Sequence, residues 1–563
     1  MKEPDTRSMA EEFFGESLAQ GPIGASFLGY REYDAEVPDP SAEAEAGRQE
    51  WRRGFLDRLD RISPDAVTDP EDRITRSMLR RRVVDDIAAS EAALEDVSAS
   101  ATIAGPQTSL LSSLPNLGLP DAEASEAYLE RLAKIPAVLD AHLERYRSAD
   151  AEGRRQTRVG AASVAAQIRG YLGSEEEVFL GAKPEGVDAD RWRERGERIC
   201  RDAVRPAFER WLTAFENDLA VRARGGEEAG VCHVPGGAEG YEKAVARHTT
   251  TDMTAEEVHG IGLERVALLR EEFSALGLKA FGTSDVGAIT GLLRDREDLR
   301  YQSSDEILSD ALDNLSRAEA ALPDWFHSYD FAPCTVKPIP AAVAADSTLA
   351  YYQPPSIDGS RPGTHFVNVH EPRSRTRFEY EALAFHESVP GHHLQFALGQ
   401  RLDGLPRFRR HGYITVFGEG WGLYTERLAD EMGLYSGDLA RLGMVSFDAW
   451  RACRLVVDTG LHAEGWSRDE AIAFMEANTA LSRSNIVNEV DRYIAWPGQA
   501  LAYMVGRLHI DRLRADAERE LGSGFDVRAF HHEVLGHGSV PLPALSEIIG
   551  DWVAEGGPSR WEG

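Results

Sequence analysis

Apolar positions recur with a helical period along most of the chain. Residues 9–19, 50–62 and 71–94 read as amphipathic helices, the last introduced by Pro70. The same pattern resumes at 122–149, 156–173 and 189–223. The apolar stretch 110–120 is broken by Pro115, Asn116, Gly118 and Pro120, which predicts a loop. Glycines cluster at 225–230 and again near 236, placing a lobe boundary near residue 225. Thr254-Ala255-Glu256-Glu257 is a capping box opening a helix to about residue 276, and helical patterns cover 286–293 and 304–322. Then the period changes. Residues 335–339, 349–353 and 365–369 are rich in β-forming side chains, with turn signals at Asp358-Gly359 and Pro362-Gly363. Later helices are clearest at 450–460, 468–477, 497–517 and 545–555. The expected fold is mainly α, large and two-lobed, with a small β-sheet beside one helix of special chemistry. Residues 1–225 form the scaffold lobe and 226–563 the lobe that carries the chemistry, in one continuous fold.

Charge and cysteine content narrow the setting. The 563 residues carry 62 basic and 94 acidic side chains, a formal charge of −32. That balance argues against nucleic-acid or anionic-membrane partners. Arg80-Arg81-Arg82 lies among Asp85 and Asp86 and reads as a solvated helix face. Cys200, Cys232, Cys334 and Cys453 are far apart, so reduced thiols are expected rather than a disulfide framework. No apolar run approaches 18 residues, and Met1-Lys2-Glu3-Pro4-Asp5 has no apolar signal core; a cytoplasmic location is expected.

The chemistry concentrates in His386-Glu387-Ser388-Val389-Pro390-Gly391-His392-His393, set between the apolar runs 382–385 and 394–398. Zinc hydrolases commonly use His-Glu-x-x-His, two imidazoles one helical turn apart with the Glu as general base. Excising Pro390-Gly391 leaves His-Glu-Ser-Val-His, which is that motif. On an ideal helix His392 points about 120° away from His386, and His393 sits roughly 10.5 Å along the axis. Neither shares a metal with His386 on a straight helix. Pro390 forces a kink or bulge. With the Pro-Gly pair looped out, His392 takes the ligand position ahead of His393. A third ligand is expected from Glu419-Gly420-Trp421-Gly422-Leu423-Tyr424-Thr425-Glu426. Glu419 on the metal and Glu426 orienting a ligand histidine is the preferred division; spacing alone leaves the reverse open.

The combination His-Glu-x-x-Pro-Gly-His-His-x-Gln with Glu-Gly-Trp-x-x-Tyr-x-Glu resembles the bacterial family known as domain of unknown function 885. Asp458-Thr459-Gly460-Leu461-His462, Arg492-Tyr493, Pro497-Gly498-Gln499-Ala500 and Val540-Pro541-Leu542 extend the resemblance over most of the chain. The family looks like a mainly helical relative of the gluzincin metallopeptidases, which hold zinc by two His and one Glu. Many members look like secreted lipoproteins; this sequence shows no such leader.

The resemblance implies one zinc per chain on His386, His392 and Glu419, with Glu387 as base. Zinc acidifies bound water to a pKa of about 7, and Glu387 takes its proton as it attacks a carbonyl. Donors to the resulting oxyanion are sought among His462, four residues after Asp458, Tyr493 and Tyr503. Arg492 and Arg507 are candidates for a substrate carboxylate, and a strand of the small sheet for backbone pairing with an extended peptide. The expected function is a zinc metallopeptidase cutting small peptides. The alternatives are a zinc amidohydrolase on a non-peptide amide or ester, and a non-catalytic peptide-binding relic.

Overall fold

The computed structural model describes residues 5–102, 105–327, 332–340, 344, 348–355 and 361–557. Side-chain caps start most of the long helices. In α1 (Thr6–Gln20), α2 (Ala42–Asp60) and α3 (Pro70–Ala92) the side chains of Asp5, Ser41 and Asp69 accept from backbone N–H groups of the first turn. Asp121 and Thr157 do the same for α4 (Ala122–Ala151) and α5 (Arg158–Gly173). The capping box at Thr254 and Glu257 is formed and opens α6 (Ala255–Phe281). A further Ser303 cap opens α7 (Ser304–Trp325).

Two local expectations need correction. Of the loop expected over 110–120, residues 110–113 end a helix (Pro106–Ser113) that Pro106 opens at its first position, 114–116 form a 3₁₀ turn, and only 117–120 lie outside helices. The helix expected over 189–223 does run through, but with two π-helical segments, Cys200–Val204 and Phe215–Leu219. The turn at Asp358-Gly359 lies outside the described residues. Arg80, Arg81 and Arg82 pair with Asp60, Asp85 and Asp86.

After α7 come β1 (Thr335–Pro338), β2 (Ala350–Gln353) and β3 (Thr364–Val367). They form one sheet in the order β1-β3-β2, with β1 parallel and β2 antiparallel to β3. The chain continues through α8 (Arg377–Glu387), α9 (His392–Gly399), α10 (Thr415–Glu431) and α11 (Asp438–His462). Then follow α12 (Arg483–Ala495), α13 (Ala502–Leu521) and α14 (Leu542–Ala554). The fold is mainly helical with one small three-stranded sheet.

One apolar core lies within residues 99–219 and contains Leu132, Ile168, Phe208 and Trp211. A larger one gathers α6 to α14, and Ile74, Met78, Val97 and Ala149 from the first lobe join it. Helix α11 is its axis. It packs against α6, α8, α10 and α13, and nearly every residue from Ala440 to His462 is buried. A helix surrounded in this way holds any polar side chain it carries at a fixed place inside the protein. The cysteines are free thiols. Among the described residues no helix is long and apolar enough to cross a membrane.

Candidate metal centre

His386 and His392 stand on different helices. The expected single kinked helix is two helices: α8 stops at Glu387 and α9 starts at His392. Ser388 N–H and Oγ–H both donate to Ala384 O, at 2.8 and 2.5 Å, which ends α8. Across the cis Val389–Pro390 bond, Pro390 O accepts from Trp421 Nε1 of α10 at 3.0 Å. Gly391 lies so close to α8 that a Cβ there would sit 1.9 Å from His386 O. A side chain would push the two helices apart. The tight reversal brings the two rings to 4.8 Å between centroids, at 86° to each other.

Glu419, on the first turns of α10, completes the group. Its Oε2 lies 3.5 Å from His386 Nε2 and 3.6 Å from His392 Nε2. One donor atom from each of the three falls within 4.8 Å of the others. Three donors at about 2.0–2.1 Å from one ion, at the tetrahedral angle, stand about 3.4 Å apart. Two imidazoles and a carboxylate so spaced fit a divalent metal. Behind the group, Glu426 Oε1 accepts from His386 Nδ1 at 2.8 Å and is fully buried, which turns Nε2 toward Glu419. Gly422 faces the same ring; a Cβ there would come within 2.6 Å of His386 Cε1. Burial disfavours a charged His386, but the Glu419 and Glu426 carboxylates outweigh it and lift the imidazole to about 9. Burial likewise opposes a charged Glu419, and the two imidazoles override it, holding the carboxyl well below its usual range.

His393 points elsewhere. Its Nε2 donates to Ala332 O at 2.9 Å and its Nδ1 accepts from Tyr352 Oη on β2 at 2.9 Å. The sheet thus adjoins α9 through the histidine that is not in the metal group. Glu387 is half-buried and follows His386 directly.

The other sequence candidates separate. Tyr503 stays near the centre, with its hydroxyl pushed up by burial and by the charge of Glu419. His462 does not serve as an oxyanion donor. It is fully buried, its Nδ1 accepts from Val231 N–H and its Nε2 donates to Tyr493 O. Nor does it pair with Asp458, which accepts from Tyr241 Oη at 2.5 Å and Gly498 N–H at 2.9 Å. Tyr493 is also spent: its hydroxyl donates to Glu489 and accepts from Arg454 and Trp450. Arg507 is locked in the core by Asp448 and Asp511, so it holds no substrate. Arg492 binds Glu489 and Gln499.

Three contributors escape the sequence reading. Tyr413 donates to Glu419 Oε1 at 3.1 Å and stacks on Phe396 of α9. It lies in the loop before α10, where no spacing rule marks it. Arg451 and Arg454 of α11 carried a legible signal, two arginines inside the apolar run 447–457. Arg451 Nη2 lies 3.5 Å from Glu426 Oε1.

Comparison with known proteins bears on the fold and the family. A crystal structure described as a "putative lipoprotein" from Colwellia psychrerythraea aligns with a TM-score of 0.90 at 24% identity, over 98% of this chain and 100% of that one. A second, described as a "putative lipoprotein of unknown function" from Shewanella oneidensis, aligns with a TM-score of 0.77 at 17% identity, over 97% and 100%. At these identities the likeness establishes a shared fold. No curated protein matches the sequence. The family model "Bacterial protein of unknown function (DUF885)" matches residues 22–549, and the chain belongs to that family.

Proposed function

We propose that the chain is a zinc-dependent hydrolase, a metallopeptidase of gluzincin type acting on short peptides. The observation that carries this reading is the buried His386, His392 and Glu419 group with Glu426 on the outer nitrogen of His386 and Glu387 adjoining. Two imidazoles and one carboxylate suit zinc and leave a coordination position free for water or substrate. Bound there, zinc would act as a Lewis acid on a carbonyl and on water.

The remaining work belongs to the protein's own groups. Glu387 follows a ligand histidine, about 100° around the helix from it, beside the metal position and outside the ligand set. It accepts the proton of the attacking water and returns it to the leaving nitrogen. Tyr503, near enough to Glu419 for that carboxylate's charge to push its hydroxyl up, is the hydroxyl for the carbonyl oxygen as it gains charge. Tyr413 stands on the other carboxylate oxygen of Glu419 and fixes that ligand. The outer edges of β1 and β2 offer backbone groups to an extended peptide.

Glu387→Gln tests the mechanism. The change keeps shape and removes the base, so peptide turnover should fall about 10²–10⁴-fold. Zinc content, read by elemental mass spectrometry on the same sample, should stay at one per chain. Wild-type turnover in this variant would refute the role of Glu387; loss of zinc would make it a ligand.

A further inference from the structure

Arg451 and Arg454 lie about one turn apart on α11, and they are only 5% and 3% exposed. A buried guanidinium is costly unless its charge and its N–H groups are matched. Here the matching is incomplete. Arg454 donates from Nε to Tyr493 Oη and from Nη2 to Glu489, each at 3.0 Å, while its buried Nη1 has no hydrogen-bond partner. Arg451 has Nη2 3.5 Å from Glu426 and Nη1 3.4 Å from Phe447 O, and its buried Nε has no partner either. Arg492 adds a third guanidinium on the same Glu489. Glu426 is shared between Arg451 and His386. The buried Nη1 of Arg454 and Nε of Arg451 are left as N–H groups facing no acceptor.

The cluster borders the metal centre. The guanidinium carbons of Arg454 and Arg451 lie 4.3 and 6.0 Å from the centroid of the Tyr503 ring, and both stack on Trp450. Trp450, Arg492 and Tyr503 are partly exposed, so the cluster has a rim open to solvent. We infer that Arg454, Arg451 and Arg492 form the subsite for the free α-carboxylate of a short peptide, which directs cleavage to the C-terminal end of that peptide. This rests on the reading of the protein as a peptide hydrolase. A carboxylate supplies acceptors for these N–H groups, and the planar guanidinium fork matches its two oxygens.

The contacts tie the cluster to the centre: Arg451 Nη2 is 3.5 Å from Glu426 Oε1, which is 2.8 Å from His386 Nδ1.

The test compares alanyl-alanyl-phenylalanine with its C-terminal amide. Zinc-loaded wild type gives kcat/KM for each, and Glu387→Gln protein gives binding by calorimetry. A hydrogen-bonded charge pair of this kind corresponds to roughly 10- to 100-fold, so the acid should exceed the amide by that factor in both readouts. Arg454→Lys keeps the charge without the fork and should shrink the ratio; Arg454→Met should abolish it. If Arg454→Met does not fold, the wild-type ratio and Arg454→Lys decide. Hydrolysis that treats acid and amide alike overturns the subsite and leaves the peptidase reading intact. Tighter binding of the acid without hydrolysis of either peptide overturns the peptidase reading and leaves the subsite standing. Neither hydrolysis nor preferential binding overturns both.

Discussion

Glu426 offers a sharp test of how the metal centre is built. Its Oε1 lies 2.8 Å from His386 Nδ1, and its side chain is inaccessible to solvent. Glu419 instead meets both ligand nitrogens, at 3.5 and 3.6 Å. On the proposed zinc reading Glu419 is a ligand and Glu426 supports one ligand, so the two should respond differently to the same change. Glu426→Gln retains an oxygen that accepts from Nδ1–H but removes the charge that makes the imidazole a stronger donor. Loss of such an outer partner weakens metal affinity about 10–100-fold, or about 1.4–2.8 kcal/mol. The fold is weakened as well, because Arg451 loses its nearby carboxylate; a buried partner left unmatched costs about 1–3 kcal/mol. Competition against a zinc-chelating dye measures the first effect, and thermal unfolding of the metal-free protein the second. Glu419→Gln should weaken zinc far more than Glu426→Gln. Unchanged affinity in Glu426→Gln would show that the Nδ1 contact is idle. Loss as complete as in His386→Ala would make Glu426 a ligand and exclude the assignment of Glu419.

Three other outcomes follow from named contacts. His392→Ala should lose most of the zinc measured by elemental analysis, whereas His393→Ala should keep it and lose stability, since His393 ties Tyr352 and Ala332 to α9; the opposite ranking would overturn the choice of ligand. Gly422→Ala should displace the His386 ring, because its Cβ would meet Cε1 at 2.6 Å, and should lower zinc affinity about tenfold or more with little change in circular dichroism; wild-type affinity would show that the ring has room to move. The third concerns the link between α3 and the C-terminal part through Glu71 and His537. Burial opposes both charges, but Glu533 and Glu71 override it for His537, and His537 and Arg409 for Glu71: His537 rises to about 9 and Glu71 falls to about 2. The folded His537 value lies above the unfolded value of about 6.5, so this stabilisation is full below pH 6.5 and fades as pH rises through 9. The melting-temperature gap between wild type and His537→Gln should therefore be wider at pH 6 than at pH 9.5, and an equal gap would refute the ion pair.

Much of the architecture was legible because its causes are local. Caps at Asp69, Asp121 and Thr254 and the 3.6-residue apolar period act within one or two turns, so helices read directly from the residues that start and line them. The change to β-forming residues before the His-Glu pair likewise marked the sheet. Local reading went astray at residues 110–116, where a helix and a 3₁₀ turn occupy the first part of the expected loop. At the centre, spacing with the family resemblance pointed to His386, His392 and Glu419, with Glu426 left as an alternative, but their convergence depends on Gly391 pressing against His386 O and on Trp421 holding Pro390 O. Both contacts join separate helices. Tertiary packing also decided which polar groups remain free. His462, Tyr493 and Arg507 have suitable chemistry, yet each is taken by a group far away in sequence, Val231, Arg454 and Asp448 in turn. A residue type states what a side chain can donate or accept. Only the packed structure determines which partner reaches it first, because a buried polar group pairs with whatever the fold brings within about 3 Å.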